Sequence, residues 1–426
     1  MSEIIQNLLR EIEKTFHRSA PLTRLIESVA ATPDSYWLVG GCLRDLLLDL
    51  PCADFDLVCS GDPTPLARKW GREVGGSWFR LDIERNYSRV VFTDGLQIDF
   101  SPLRAETLVE DLELRDFTIN AMALALPDFN SEDRFFDPLD GLTAIVAKQL
   151  VPASQQSFSD DPLRLLKGIR HAVTLGFSCP DPVVDQMKSH SSLLDTVAGE
   201  RLHDELLKIF ASPEPQRGVE LLIATGMLSV LFDAYPDTVK QSELQRQLGE
   251  LFSRMQGLVQ LEEEDRALFL LVKLFEYLAP ANLTGLLHKR LRFSRRQQQV
   301  VEQLLTSEEK FNQVIKLLRP AINDRQLALI YELLQPCAAE KIIYYGQLSG
   351  RLANDQATAF EDAFGGESNC GRVADLLSGE CIMRITKCSA GPHVKKRLAQ
   401  IKLAEINGEI RTATDAEEWL RTQISD

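Results

Sequence analysis

Residues 38–45 read Leu-Val-Gly-Gly-Cys-Leu-Arg-Asp, and a short apolar helical stretch then leads to Asp54-Phe55-Asp56. Side chains alternate along a strand, so Asp54 and Asp56 face the same side. Gly40 and Gly41 lie just upstream and open a gap the size of a phosphate, which a Cβ would obstruct. Two carboxylates on one face beside a glycine turn suit Mg²⁺ carrying a nucleoside triphosphate. Taken without its neighbours, Asp-x-Asp is as compatible with solvated acids on an edge strand.

This segment demands a strand, a turn, a helix and a second strand in quick succession, and the surrounding pattern agrees. An amphipathic helix is predicted over 3–17, with Ile4, Ile5, Leu8, Leu9, Ile12 and Phe16 on one face. From about 36 to 150 the pattern is mixed. Strands are predicted over 36–39 and 54–59, and helices over 42–50 and 65–74. A β-hairpin is predicted from Arg89–Phe92 through Thr93-Asp94-Gly95 to Leu96–Phe100. Beyond about 160 the periodicity is helical. Joints are expected at Pro152–Ser159, Ser212–Gln216 and Gly365-Gly366. The fold class is therefore α+β, a small mixed sheet followed by helices.

A chain of 426 residues has room for several domains and ample core. No apolar run approaches membrane-spanning length, and the start Met1-Ser2-Glu3-Ile4-Ile5-Gln6 lacks a basic and apolar leader. The eight cysteines are scattered without a Cys-x-x-Cys pair, which predicts reduced thiols in the cytoplasm and argues against zinc or disulfides.

The net charge of −15 opposes nucleic-acid binding only in the aggregate, because RNA responds to local patches. The clearest patch is 288–296, where Lys289, Arg290, Arg292, Arg295 and Arg296 occur without an acid. A second is Lys395-Lys396-Arg397, with Lys402 beyond it. Each patch reads equally as a solvated helix face. Asp99 ends the second strand of the predicted hairpin. If that strand pairs beside 54–58, Asp99 becomes a third carboxylate able to bind metal or take a proton from a hydroxyl. Alone, an Asp at a strand end is more often a turn former.

The opening motif resembles that of the polymerase-β-like nucleotidyltransferases, and more narrowly that of the class II tRNA nucleotidyltransferases and bacterial poly(A) polymerases. The likeness continues in order. Arg115-Asp116-Phe117-Thr118-Ile119-Asn120-Ala121-Met122-Ala123 resembles the second motif, and Phe136-Asp137-Pro138-Leu139-Asp140-Gly141 the next. Asp160-Asp161-Pro162-Leu163-Arg164 through Arg170 resembles the nucleotide-selecting helix. Glu200-Arg201 with Glu205-Leu206 resembles the segment that closes the neck. Leu377–Glu380, Ala390-Gly391-Pro392 and Trp419-Leu420 resemble the tRNA-gripping tail.

The resemblance implies an N-terminal helical segment (1–30), a nucleotidyltransferase head (31–155), a neck (156–215), a helical body (216–365) and a tRNA-binding tail (366–426). It implies that Asp54 and Asp56 hold two Mg²⁺ ions, one activating the RNA 3′-hydroxyl and one stabilising departing pyrophosphate. Asp99 would complete the catalytic acids. Gly40, Gly41 and Arg44 would meet the triphosphate of CTP or ATP, and Arg115 would orient the nucleotide or its phosphates. The alternative for Arg115 is an ion pair with Asp116. Lys289, Arg290, Arg292, Arg295, Arg296, Gly391, Lys395 and Lys396 would grip the tRNA elbow through its backbone.

A helix over 161–170 would place Asp161 and Arg164 on one face. Cytosine and adenine share an exocyclic amino donor beside a ring-nitrogen acceptor, so an accepting Asp and a donating Arg admit C and A and reject U and G. Spacing alone also permits an N-cap acid and an i,i+3 ion pair. Two departures from the family pattern stand out. Asp160 replaces the usual Glu, and Lys167 replaces the usual Arg, which favours a phosphate contact over a bidentate one.

A third departure bears on the product. CCA-adding members carry a flexible loop between the hairpin and the Arg-Asp motif, and here only residues 100–114 fill that interval. So short a connection leaves little slack for switching from C to A. A CC-adding enzyme is favoured, its tRNA finished by a separate A-adding partner. Full CCA addition, A addition and poly(A) synthesis are the alternatives, with a non-catalytic RNA-binding relative more distant. A monomer or homodimer without membrane association is expected.

Overall fold

The structure is a computed structural model that describes residues 2–232, 263–278, 282–306, 376–389, 391–406 and 408–423, with isolated helical positions between them. Contacts divide the chain into two units, Met1–Tyr235 and Pro236–Asp426. Among the described residues no helix is long and apolar enough to cross a membrane.

The first unit opens with α1 (Ser2–Arg18) and α2 (Ala20–Ala30). α1 buries Leu8, Leu9, Ile12 and Phe16, the spacing that singled it out. Ser19 separates the two helices and caps α2 by accepting from the Leu22 amide, with Pro21 in the first turn. The sheet region follows in the order β1 (Tyr36–Val39), α3 (Gly41–Leu47), β2 (Asp54–Cys59), α4 (Thr64–Glu73), β3 (Ser77–Asp82), β4 (Tyr87–Val91), β5 (Gln97–Pro102), α5 (Leu108–Glu113), β6 (Ala123–Ala125), β7 (Phe135–Phe136) and α6 (Gly141–Val146).

The strands form a seven-stranded sheet in the order β3-β4-β5-β2-β1-β6-β7. The β2–β5 pair is parallel and the other pairs are antiparallel, so the sheet is mixed. The predicted hairpin is β4–β5, and it does lie beside β2, with Asp56 level with Asp99. Asp99 is mid-strand. Strand β3 was not foreseen, although Phe79, Arg80, Leu81, Asp82 and Ile83 alternate apolar and polar; Phe79, Leu81 and Ile83 stand exposed and are not part of the core.

The two faces of the sheet differ. One carries Phe55, Val90, Ile98 and Phe100 in the core, with Trp70 of α4 against Phe92 and Phe100. On the opposite face, Leu108 and Leu112 of α5 pack with Val39, Val58, Ala121 and Ala123. Asp54 and Asp56 have their side chains on that second face, on the same side as Val58.

Six helices complete the unit: α7 (Ser157–Asp160), α8 (Arg164–Leu175), α9 (Asp181–His190), α10 (Gly199–Ala211), α11 (Pro215–Ala224) and α12 (Met227–Phe232). α8 buries Leu165, Leu166, Ile169, Ala172 and Val173 and packs on α10 and α11. Its start corrects the sequence expectation of a helix over 161–170. Asp161 precedes Pro162 and is extended (φ −140°, ψ 97°), since the proline ring disfavours the helical region for the residue before it. The N-cap position falls to Leu163, neither to Asp160 nor to Asp161.

The second unit contains the helices Glu263–Leu278 and Arg295–Thr306, with Leu286–Arg290 wound as a π-helix between them. Further along, Gly379–Thr386, Pro392–Ile406 and Ala413–Thr422 gather Leu377, Ile382, Val394, Ile401, Ile410 and Leu420 into one cluster. Thr412 and Asp415 form a capping box at the start of the last helix. The joint expected at Gly365-Gly366 lies outside the described residues, as does Ala390.

Candidate active site

A cleft of about 320 Å³ opens in the first unit. Its lining includes Asp56, Asp99, Arg104, Arg115, Asp116, Asp161, Arg164 and Lys167. Strand β2 supplies Asp56, β5 supplies Asp99, and the stretch around α7 and α8 supplies Asp161, Arg164 and Lys167. Residues separated by more than a hundred positions therefore share one wall-to-wall space. Asp54 is exposed on β2, outside the residues that line the cleft.

The glycine turn explains how closely backbone approaches carboxylate. Gly40 has φ +82°, and a Cβ there would sit 3.1 Å from both Asp56 Oδ2 and an Arg115 guanidinium nitrogen. Space at this corner therefore exists only because residue 40 has no side chain. Gly41 begins α3, and Arg44 one turn on folds back across it. The Arg44 guanidinium donates to Asp45 at 2.7 and 2.8 Å and to Asn120 Oδ1 at 2.6 Å.

Asp56, like Asp54, is exposed to water along the strand, while its carboxylate is crowded from the Gly40 side. The solvation lost to that crowding raises its carboxyl to about 6, opposed by the Arg115 guanidinium and reinforced by the charges of Asp99 and Asp54. Asp99, level with it on β5, accepts from Arg89 at both oxygens, at 2.7 and 2.8 Å. Among the described residues no group of three His, Cys, Asp or Glu side chains is gathered to hold a metal ion.

The sequence reading missed the residue that organises this region, Asp111. Its side chain is wholly buried in α5 and accepts from the Arg104 amide at 2.9 Å, the Arg104 guanidinium at 3.1 Å and Arg115 at 3.2 Å. Burial alone would raise its carboxyl; the two guanidiniums and the amide outweigh that and hold it below the usual range. Arg115 is therefore paired with Asp111, and the pair with Asp116 that the sequence left as an alternative is not the one formed. An acid four residues before an Arg, with apolar Leu108 and Leu112 beside it, was the available signal. The buried Arg115 Nε has no hydrogen-bond partner, an exception to the rule that buried polar groups are paired.

Asp116 serves a different network. Its Oδ1 accepts from the Phe117 amide at 2.9 Å and from Asn120 Nδ2 at 3.0 Å. His171 of α8 lies beside it, and burial with nearby Arg170 and Arg44 keeps that imidazole neutral. Asn120 thus joins Asp116 to Arg44 and ties the glycine turn to the Arg-Asp motif. Asp137 is a structural residue: its carboxylate accepts from the Gly141 and Leu142 amides at 2.6 and 2.9 Å at the start of α6.

Asp161 and Arg164 face the same cleft but do not pair with one another, contrary to the ion pair that spacing permitted. Asp161 takes Arg201 of α10 at 3.1 Å. Arg164 donates to the Leu114 carbonyl at 2.6 Å and to the Ser157 carbonyl and hydroxyl at 3.2 and 3.1 Å. The extended Asp161 and the first residue of α8 point their side chains from different backbone geometries, which is why the i,i+3 rule fails here.

In the second unit Lys289, Arg292, Arg295 and Arg296 are exposed while Leu291 and Phe293 between them, and Leu287 before them, are buried, so the turn shows a basic outer side. Arg290 is half-buried. Lys395 and Lys396 are exposed on the helix Pro392–Ile406, just beyond Gly391.

Residues 36–151 match the family described as "Poly A polymerase head domain", and residues 176–240 match "Probable RNA and SrmB- binding site of polymerase A". The chain is 30% identical over 419 residues to a CC-adding tRNA nucleotidyltransferase of Geobacter sulfurreducens, covering 94% of this chain and 95% of that one. It is 36% identical over 204 residues to an A-adding tRNA nucleotidyltransferase of Deinococcus radiodurans, covering 46% and 45% of the two. A solved CCA-adding enzyme in complex with CTP shares the fold at TM-score 0.70 and 21% identity, over 99% of both chains.

Proposed function

Because this chain belongs to the class II tRNA nucleotidyltransferase family, and is an RNA nucleotidyltransferase, we propose that it adds two cytidines from CTP to the tRNA 3′ end and stops there. The observation that carries this reading is the anchored connection between β5 and Arg115. Only residues 103–107 join β5 to α5, and Asp111 pins both sides of that stretch through Arg104 and Arg115. A capping box at Thr107 and Glu110 fixes the start of α5 as well. The Leu114 carbonyl at the end of this segment holds Arg164. A selecting arginine tied to a short, anchored segment has no lever with which to re-aim from cytosine to the larger adenine. The full-length relative of Geobacter sulfurreducens, named CC-adding, supports the same product.

In this reading the head and neck share the work. Asp161 accepts from the cytosine amino group and Arg164 donates to its ring nitrogen and carbonyl, using N–H groups beyond those given to Leu114 and Ser157. Arg115, with its unpartnered Nε, and Lys167 meet the triphosphate at the cleft, and Gly40, Gly41 and Arg44 shape the adjoining turn. Asp99 acts through its bidentate partner Arg89 and by its charge on Asp56. The basic side chains Lys289, Arg292, Arg295, Arg296, Lys395 and Lys396, with Arg290 and Gly391, take the RNA backbone. A separate A-adding enzyme would complete the tRNA.

The residues fit a divalent cation. Asp56 is an under-solvated carboxylate in a corner that a Cβ at Gly40 would fill, and Asp54 lies on the same strand face. Asp54 and Asp56 would hold Mg²⁺, which when bound supplies charge neutralisation for the 3′-oxygen nucleophile and the leaving pyrophosphate. A pH dependence follows. Asp56 takes up a proton as pH falls through about 6, and the cation requires the ionised form. Apparent Mg²⁺ affinity, read from thermal shifts with CTP present, should be about tenfold weaker at pH 5 than at pH 7. Equal affinity at both values would remove Asp56 from the cation site.

The product is tested with tRNAs ending at the discriminator, at C or at CC, given CTP, ATP or both. Two C additions and no A are expected. Efficient A addition to the CC end would overturn the proposal and favour the second reading, an A-adding or CCA-adding enzyme, the former supported by the 36% identity to the A-adding Deinococcus radiodurans relative over 46% of the chain. Long A tails on unrelated RNA would indicate poly(A) synthesis.

A further inference from the structure

The strand register extends the catalytic row to the open edge of the sheet. Asp56 on β2 is level with Asp99 on β5, Asp99 with Arg89 on β4, and Arg89 with Phe79 on β3. Cross-strand partners present their side chains on the same face. The Arg89–Asp99 contact fixes which face that is, and Phe79 shares it. Tyr87 lies two residues from Arg89 on β4, diagonal to Phe79, and lines the cleft.

Phe79 is 52% exposed, and Leu81 and Ile83 that follow it are 51% and 72% exposed. An exposed apolar edge strand invites pairing with another chain. Here the register breaks between Arg80 and Asp82, a β-bulge that spoils the ladder, and charged side chains stand at both positions. The edge is thus built against strand addition while its catalytic face still presents an aromatic ring to solvent. A ring on the face of the reaction centre, beside an arginine whose charge is already met by a carboxylate, suits the π-face of a base better than a phosphate.

We infer that this edge is a stacking platform for the unpaired 3′ nucleotides of the RNA primer, with Phe79 as its principal contact. The inference rests on the proposed RNA-directed reaction. Three strand spacings put Phe79 roughly 14 Å from Asp56, a reach of a few nucleotides behind the reacting 3′-hydroxyl. Stacking on an aromatic side chain is tolerant of base identity, as a platform for different discriminator bases must be.

The test compares the full-length wild type with Phe79→Ala and Phe79→Trp. The measurements are tRNA binding by fluorescence anisotropy, KM for tRNA and for CTP, melting temperature and oligomeric state. Phe79→Ala should weaken tRNA binding about 5- to 150-fold and raise KM for tRNA, leaving KM for CTP and the melting temperature unchanged. Phe79→Trp should retain binding. Unchanged tRNA affinity in Phe79→Ala, a rise confined to KM for CTP, or dissociation of a wild-type dimer by this substitution would each overturn the platform. If the wild type transfers no nucleotide while Phe79→Ala still weakens RNA binding, the platform stands and the proposed reaction falls.

Discussion

Asp56→Ala is expected to lower nucleotide addition by at least ~10³-fold while leaving tRNA binding intact. Asp56 is the acid of the opening motif that lines the cleft, held level with Asp99 by the parallel β2–β5 pair and close against Gly40. Its environment disfavours its charge, a condition tolerated where a cation is to be bound. Asp56→Asn keeps the shape and removes the charge, so it should lose nearly as much activity. It should not lower the melting temperature of the cation-free protein at pH 8, because there the ionised native carboxylate works against the fold. Single-turnover addition of CTP to a tRNA ending at the discriminator, with anisotropy for binding, checks both halves. Activity within tenfold of wild type would remove Asp56 from the chemistry.

The second large effect is structural. Asp111→Ala should destabilise the first unit by about 3–5 kcal/mol, because it leaves the largely buried Arg115 guanidinium and the Arg104 amide without their carboxylate. Denaturant unfolding followed by the fluorescence of Trp37, Trp70 and Trp78, all in that unit, reads the loss, with Trp419 of the other unit replaced by Phe in both proteins compared. The same substitution should raise KM for CTP, since Arg115 loses its anchor and the segment ending at Leu114 no longer fixes Arg164. A loss below about 1 kcal/mol would mean that water or another side chain replaces the carboxylate. Tighter control is given by Asp111→Asn, which preserves acceptance from the Arg104 amide and should recover part of the stability.

Much of the head could be read in advance because its signals are local. The apolar run Tyr36–Val39, the Gly-Gly turn and Asp-x-Asp each follow from backbone geometry within a few residues, and the structure has β1, α3 and β2 there. The hairpin was legible from its Thr-Asp-Gly turn. Strand β3 was not, although Phe79-Arg80-Leu81-Asp82-Ile83 alternates apolar and polar: the run stands at the sheet edge with its apolar members exposed, and only pairing with β4 defines it as a strand. The start of α8 lies later than the 161 expected from the helical spacing, because Pro162 disfavours the helical region for Asp161 before it.

The site divides along the same line. Its residue types, and the order of the motifs that carry them, were present in the sequence, because chemistry at a phosphate selects carboxylates, glycines and guanidiniums whatever their surroundings. Which of them meet was decided by the tertiary structure. Parallel pairing put Asp99 beside Asp56, the burial of α5 gave Arg115 to Asp111 in place of adjacent Asp116, and α10 gave Arg201 to Asp161 in place of Arg164. Such pairings depend on distance and desolvation between segments far apart in the chain, and no local spacing encodes either.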